Sequence, residues 1–228
     1  RDSSTSRGLG DVYKRQQVIV DLCAQRLPKA YGYSAFDNIQ VLCPSKKGEL
    51  GTAEMNFRLQ KALNPKSADK AEIEIASKAF RIGDKVMQIK NNYDITWIRD
   101  DGEQGSGIFN GDIGIIDSID RKSRTLIVIF DDKTAKYTYE YATDLDFAYA
   151  VTVHKSQGNE FDCVIIPMFQ GPPQLYYRNL LYTAVTRAKK TLVLVGNPKT
   201  VEYMVQNNRR TKRYSGLKEF LLRDEQLY

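Results

Sequence analysis

The run AVTVHKSQGNEFDCVII, residues 150–166, contains the only histidine in the chain, and its neighbours are unusually rich in hydrogen-bonding groups. Thr152, His154, Lys155, Ser156 and Gln157 offer hydroxyls, an imidazole, an ammonium and an amide in close succession. Donors of these kinds suit phosphate oxygens. Gly158 then permits a tight turn, and Glu160 sets a carboxylate, suited to a ribose hydroxyl, just ahead of an apolar run. A metal centre would want a second ligand of matching softness nearby, and this stretch supplies none.

A second stretch, LLYTAVTRAKKTLVLVG (180–196), carries a hydroxyl and a guanidinium. Thr183 and Arg187 stand four apart, which predicts one shared helical face, with Leu180, Leu181, Ala184, Val185 and Ala188 on the apolar side. A helix running directly into the strand TLVLVG would set Arg187 on the rim of a sheet. From there a planar guanidinium fork can reach across a cleft to a γ-phosphate.

The elements that must position these residues show two textures. IQVLCP, DCVIIPM and TLVLVG read as buried parallel strands. A helix is expected from Val18 to Lys29, closed by Pro28 and Gly32. Another follows a glycine-bearing loop, with Met55, Leu59 and Leu63 on one face, Thr52 or a neighbour as cap, and Pro65 as its end. Residues 148–157, YRNLLYTAVTRAKK and NPKTVEYMVQN also read as helices. Between about 70 and 145 the texture changes to DKVMQIK, GDIGIIDSID, RTLIVIF and AKYTYEY, with hairpin turns at DRKS and DDKTA. Short strands at that spacing predict a small antiparallel barrel inserted between two halves of an α/β domain. Tyr137, Tyr139 and Tyr141 alternate onto one face, either for base stacking or as an ordinary half-buried face.

Composition narrows the class further. At 42% hydrophobic residues the chain can bury a core, while no apolar run approaches the roughly 18 residues of a membrane helix. Its 34 basic against 28 acidic residues give a charge of +6, compatible with a polyanionic partner. Cys23, Cys43 and Cys163 are odd in number and widely spaced, which argues a reduced protein without a disulfide framework or zinc. Residues 1–16 show neither helical nor strand periodicity. Their DVYKRQ can be encoded by the end of a transposase sequencing adaptor, so we read 1–16 as a non-native segment and the chain as a fragment. Arg209, Arg210, Lys212 and Arg213 form a basic cluster that reads as a solvated tail or a DNA-contacting patch.

Taken together, YAVTVHKSQGNEFD and LLYTAVTRAKKTLVLVG resemble motifs V and VI of superfamily 1 helicases, above all the 1B branch of RecD-like DNA helicases and the exodeoxyribonuclease V alpha subunit. VLCPSKKGELGTAEMNFRLQKALNP resembles that family's motif IV region, and IGDKVMQIKNNYD with FNGDIGII resembles the start of its SH3-like insertion. The resemblance spans about Ile39 to Gly196. It implies an α/β fold: a RecA-like parallel sheet with helices on both faces, interrupted by a small SH3-like antiparallel β-barrel. Residues 17–69 and 146–205 would form the second motor domain, 70–145 the barrel, and 206–228 a C-terminal tail or helix.

By the same resemblance Arg187 is the catalytic arginine finger, with Gly158 and Glu160 on the nucleotide side. Thr152, His154, Lys155 and Ser156 face DNA, and Gln157 and Thr183 couple the two. Lys46, Lys47 and Arg58 are further candidates in motif IV. The implied cofactors are ATP and Mg²⁺, held mainly by a first motor domain. The implied partners are single-stranded DNA or a duplex junction and that first domain, with no membrane, in a bacterial cytoplasm. No G-x-x-x-x-G-K-[ST] loop occurs in the chain, so the expectation is that it does not hydrolyse ATP by itself. The helicase region of a conjugative relaxase and a non-catalytic nucleic-acid-binding module are the alternatives.

Overall fold

The computed structural model describes residues 3–169 and 174–208. The basic cluster at Arg209–Arg213 lies outside them. Helix α1 (Ser3–Asp21) passes through one π-helical turn (Leu22–Arg26) into α2 (Leu27–Tyr31). Two expectations are corrected here. Residues 1–16 show no helical periodicity in sequence, yet α1 begins at Ser3, and its Gln16 side chain donates to Glu49 O at 2.5 Å. Pro28 does not close the helix but stands in the first turn of α2, where its missing N–H costs little. Gly32, at φ 69°, ends it by donating to Pro28 O.

Strand β1 (Ile39–Cys43) is buried along its whole length and leads through a loop to α3 (Thr52–Leu63). The next strands form a separate antiparallel body. A hairpin of β2 (Glu72–Ile75) and β3 (Lys78–Arg81) precedes β4 (Lys85–Gln88), β5 (Asn92–Arg99), β6 (Gln104–Ile108), β7 (Ile113–Asp120), β8 (Thr125–Phe130), β9 (Lys133–Thr138) and β10 (Leu145–Phe147). The chain returns with β11 (Ala150–Thr152), a 3₁₀ turn (Val153–Ser156), β12 (Phe161–Met168), α4 (Arg178–Val185), β13 (Ala188–Gly196) and α5 (Pro198–Gln206).

The α/β layer is a parallel sheet in the order β11-β1-β12-β13. Side-chain alternation explains why both faces carry helices. Ile39, Val41, Cys43, Cys163 and Ile165 point to the face covered by α1, the π-helical turn and α3 (Ile19, Cys23, Met55, Leu59). Leu42, Val164, Ile166 and Met168 point to the face covered by α4 and α5 (Leu180, Ala184, Met204). All three cysteines lie buried, and burial pushes the Cys23 and Cys43 thiols up to about 12.

The antiparallel body pairs in the order β10-β4-β7-β8-β9-β5-β6, and its inward residues converge on one core around Phe80, Ile116, Val128 and Tyr137. Both hairpin turns read from the sequence are present, β7–β8 at Arg121–Arg124 and β8–β9 at Asp131–Asp132, where Asp131 takes φ 47°. Tyr137 is fully buried and donates to Gln88 Oε1 at 2.9 Å, and Tyr139 and Tyr141 pack half-buried against the same core. The tyrosine face is therefore packing, not a stacking platform.

A buried polar seam joins the two bodies. Asp84, which no solvent reaches, accepts from Gln60 Nε2 (2.7 Å), Asn64 Nδ2 (2.8 Å), Tyr149 OH (2.8 Å) and Arg81 N (2.8 Å). Next to it Lys85 donates to Ile39 O at 3.1 Å, and desolvation lowers its ammonium to about 8. Gln40, buried in β1, donates to Ala148 O (3.0 Å) and Tyr149 O (3.2 Å). Asn56 exchanges two 2.8 Å bonds with the Ala150 backbone, serving as a strand substitute on the outer edge of β11. No described helix is long and apolar enough to cross a membrane.

Candidate nucleotide and nucleic-acid interface

Residues 148–157, expected as a helix, instead hold the short strand β11 followed by a 3₁₀ turn. The reason is local. Ala150 and Val151 are claimed by β1 and by Asn56, so the chain arrives extended and has only a few residues before Gly158 turns it at φ 91°. Thr152 caps that turn, its hydroxyl accepting from Lys155 N at 3.3 Å.

The cap sets the directions of the side chains. His154 is exposed and its Nε2 lies 3.4 Å from Tyr177 OH, at the start of α4. Lys155 is exposed on the other flank, at the rim of a groove of about 510 Å³ between α3, the β2–β3 hairpin and the start of β11. Phe57 lines that groove and is 63% exposed. At the rim Asp146 faces Lys78 (3.1 Å) and Lys46 (3.8 Å). The Lys155 ammonium is held below its usual value mainly by partial burial, with Lys46 and Lys78 adding to the depression and Asp146 opposing it. Ser156 differs from the expectation: it is fully buried and donates to Val153 O at 2.7 Å, so the turn consumes its hydroxyl. It is not placed to touch DNA.

The helix carrying Thr183 ends at Val185, so Thr183 and Arg187 do not share a helical face. Thr183 donates back to Asn179 O at 2.8 Å inside the helix. Arg187 sits in the turn between α4 and β13, half-buried, with its backbone carbonyl accepting from Phe161 N at 2.8 Å. That bond brings the two sequence stretches together at the start of β12 and β13. The Arg187 guanidinium is poorly satisfied: Nη1 reaches Asn159 O at 3.2 Å, Nη2 reaches Thr186 Oγ1 at 3.4 Å, and Nε is buried without a partner. A planar donor fork with so little bonding suits an incoming anion. Glu160 is exposed beside it, 3.8 Å from Lys189 Nζ, while Gln157 and Gly158 are exposed on the connecting loop.

Among the motif IV candidates, Lys46 joins the groove rim and Lys47 is exposed on the loop before α3. Arg58 is occupied by Glu54 at 2.7 Å and by the ring of Tyr13. Sequence reasoning passed over Asn159, Tyr177, Lys78, Asp146 and Phe57. Only Asn159 carried a local signal, as part of the QGNE turn.

The chain is similar in sequence to known proteins. Residues 55–130 match the family described as the ATP-dependent RecD-like DNA helicase SH3 domain, and residues 147–195 match the UvrD-like helicase C-terminal domain. The ATP-dependent RecD2 DNA helicase of Deinococcus radiodurans is 33% identical over 159 residues, covering 70% of this chain and 20% of that protein. The RecBCD enzyme subunit RecD of Buchnera aphidicola is 29% identical over 160 residues, covering 69% and 24%. The chain thus spans about a fifth to a quarter of the length of these relatives. A Bacteroides Pif1 helicase solved with ADP-AlF3 and ssDNA superposes with a TM-score of 0.47 at 15% identity, covering 96% of this chain and 52% of that one.

Proposed function

This chain belongs to the RecD-like superfamily 1 helicases, and from that premise we propose that it supplies the arginine finger and part of the single-stranded DNA track of an ATP-driven 5′–3′ DNA helicase. In this reading residues 17–69 and 146–205 are the second motor domain and 70–145 its inserted barrel. Residues 206–228 are a tail and 1–16 an adaptor-derived addition. ATP and Mg²⁺ are held mainly by a first motor domain, without which the chain does not turn over ATP.

The observation that carries the proposal is the junction of the two stretches. The bond from Phe161 N to Arg187 O fixes the arginine turn against the loop that bears Glu160, and the same loop begins at the His154–Lys155 turn. One short element therefore touches both the nucleotide side and the DNA side. The under-bonded guanidinium of Arg187 fits a γ-phosphate, and the exposed Glu160 fits a ribose hydroxyl. ATP bound there supplies phosphoryl-transfer free energy, with charge building on its γ-phosphate oxygens. Arg187 stabilises that charge, and His154 and Lys155 hold the sugar-phosphate backbone. Backbone contacts of this kind make binding salt-dependent and indifferent to sequence.

The test is Arg187→Ala in the complete protein that contains this chain. ATP turnover should fall by about three orders of magnitude or more, the range for a lost arginine finger, while affinity for single-stranded DNA stays within about twofold. Normal turnover in the variant would sink the assignment.

A further inference from the structure

Asn159 bonds in two directions at once. Its backbone carbonyl accepts from Arg187 Nη1 at 3.2 Å, and its side-chain Nδ2 donates to Gly111 O at 3.0 Å. Gly111 belongs to the barrel, in the loop Phe109–Asp112 between β6 and β7. We propose that Asn159 is a positioning residue that relays the state of Arg187 to this barrel loop, so that the barrel's surface responds to the nucleotide. The inference rests on Arg187 being the nucleotide-sensing arginine proposed above.

Both ends of the relay are built for it. On the motor side the resting place of Arg187 is weak, because Nε is buried without a partner and the two terminal nitrogens make long bonds. A phosphate that draws the guanidinium away removes the donor on Asn159 O. Gly158, the preceding residue, is at φ 91° with nothing packed where a side chain would sit, a position whose backbone is free to take other conformations. Asn159 N is held to Ser156 O at 3.1 Å, which ties any such shift to the turn that carries His154 and Lys155.

On the barrel side the loop is bonded within itself and to β4. Phe109 N donates to Asp112 Oδ2 at 2.8 Å, and Asp112 N returns to Phe109 O at 3.0 Å. Gly111 N donates to Gln88 O on β4, and Gln88 N donates back to Asp112 O, both at 2.9 Å. Gly111 takes φ 103°, a conformation that presents its carbonyl to Asn159, and a Cβ there would come within 4.0 Å of both Asn159 Nδ2 and Lys155 O. At the loop's tip Phe109 is 41% exposed and packs edge-on to the 67% exposed ring of Tyr93, 5.7 Å between centroids. The relay therefore ends on an exposed aromatic pair, Phe109 in the loop and Tyr93 on β5.

Hydrogen exchange at the Gly111 and Asp112 amides reads the loop directly. It is measured in the complete protein with ADP and with ADP plus aluminium fluoride, which imitates the γ-phosphate. In the wild type the two states should differ by about fivefold, the effect of one net hydrogen bond. Asn159→Ala and Asn159→Asp both remove the donor to Gly111 O and leave the backbone carbonyl in place. Each should erase the exchange difference and lower the base pairs opened per ATP, with ATP turnover within about twofold of wild type. Thermal melting shows whether each variant is folded, and Asn159→Asp, close to the native side chain in shape, keeps the test alive if the alanine variant is not. Three results overturn the relay: no exchange difference in the wild type, an undiminished one in a folded variant, or a loss of turnover matching Arg187→Ala. Failure of the arginine assignment itself is separate, because it is read from turnover in Arg187→Ala alone.

Discussion

Asp84 is the residue on which the junction of the two bodies depends, and its removal makes the sharpest stability prediction. Its carboxylate accepts from Gln60, Asn64, Tyr149 and the Arg81 amide, all within 2.7–2.8 Å. Asp84→Ala strands those donors where water does not reach, since Gln60, Asn64 and Tyr149 are themselves buried. Each orphaned buried donor costs about 1–3 kcal/mol. The two amides keep one partner each, Ala79 O and Ile82 O, which halves their share. The sum over the four donors is about 3–9 kcal/mol, a large part of the roughly 5–15 kcal/mol that holds a domain folded. Urea denaturation of this chain, followed by far-ultraviolet circular dichroism, measures it as a lowered midpoint. The pH dependence gives an independent check. Burial raises the Asp84 carboxyl above the ordinary carboxylate range despite its donors. Between the ordinary and the raised value the folded chain holds a proton that the unfolded chain has released. The stability from this group is therefore present below that window and lost as pH rises through it. The gap between wild type and Asp84→Asn should narrow as pH climbs through the window. A loss below about 1 kcal/mol in Asp84→Ala, or a gap that widens with pH, would refute the account of the seam.

Two other predictions concern the same bodies. Lys85 is lowered to about 8 from 10.5, so between those values the unfolded chain binds a proton that the folded chain does not, and this residue's contribution makes stability rise with pH there. Stability curves of wild type and Lys85→Met, compared from pH 8 upward so that the cysteines cancel, should differ in slope in that sense; parallel curves would refute the buried ammonium. Gly105→Ala would put a Cβ 2.3 Å from the Trp97 ring, so the ring must move off its seat between Arg99 and Lys133. We expect about 1–3 kcal/mol of destabilisation and a red-shifted emission from the only tryptophan, and an unchanged spectrum would count against it.

The sequence was most legible where a single period decided the structure. IQVLC and DCVIIPM have the continuous apolar run expected of strands buried on both faces, and Met55, Leu59 and Leu63 the spacing of one helical stripe, and the structure forms both. It was least legible where a distant partner decided. Residues 148–157 have enough helix-compatible side chains to pass for a helix, but pairing of Ala150 with both Val41 and Asn56 makes the segment extended, and neither partner is near in sequence. Ser156 looked like one more donor until the turn absorbed its hydroxyl, and Arg187 looked helical until α4 ended at Val185. Strands β5 and β6 were overlooked because half of Asn92–Arg99 is exposed and Gln104–Ile108 carries two glycines, so neither has the apolar density of β8.

The buried seam also limits how the barrel can answer the motor. Swinging the barrel as a rigid body would pull Asp84 from Gln60, Asn64 and Tyr149, and Lys85 from Ile39 O, exposing a whole set of satisfied polar groups together. Breaking the contact through Asn159 sacrifices one bond at the periphery. With several buried hydrogen bonds on one side and a single half-exposed one on the other, the contact through Asn159 yields before the seam does. Motion passed from Arg187 is therefore a local shift at the loop Phe109–Asp112 over a barrel that stays fixed to α3 and β1, which is the scale of change hydrogen exchange at Gly111 is suited to detect.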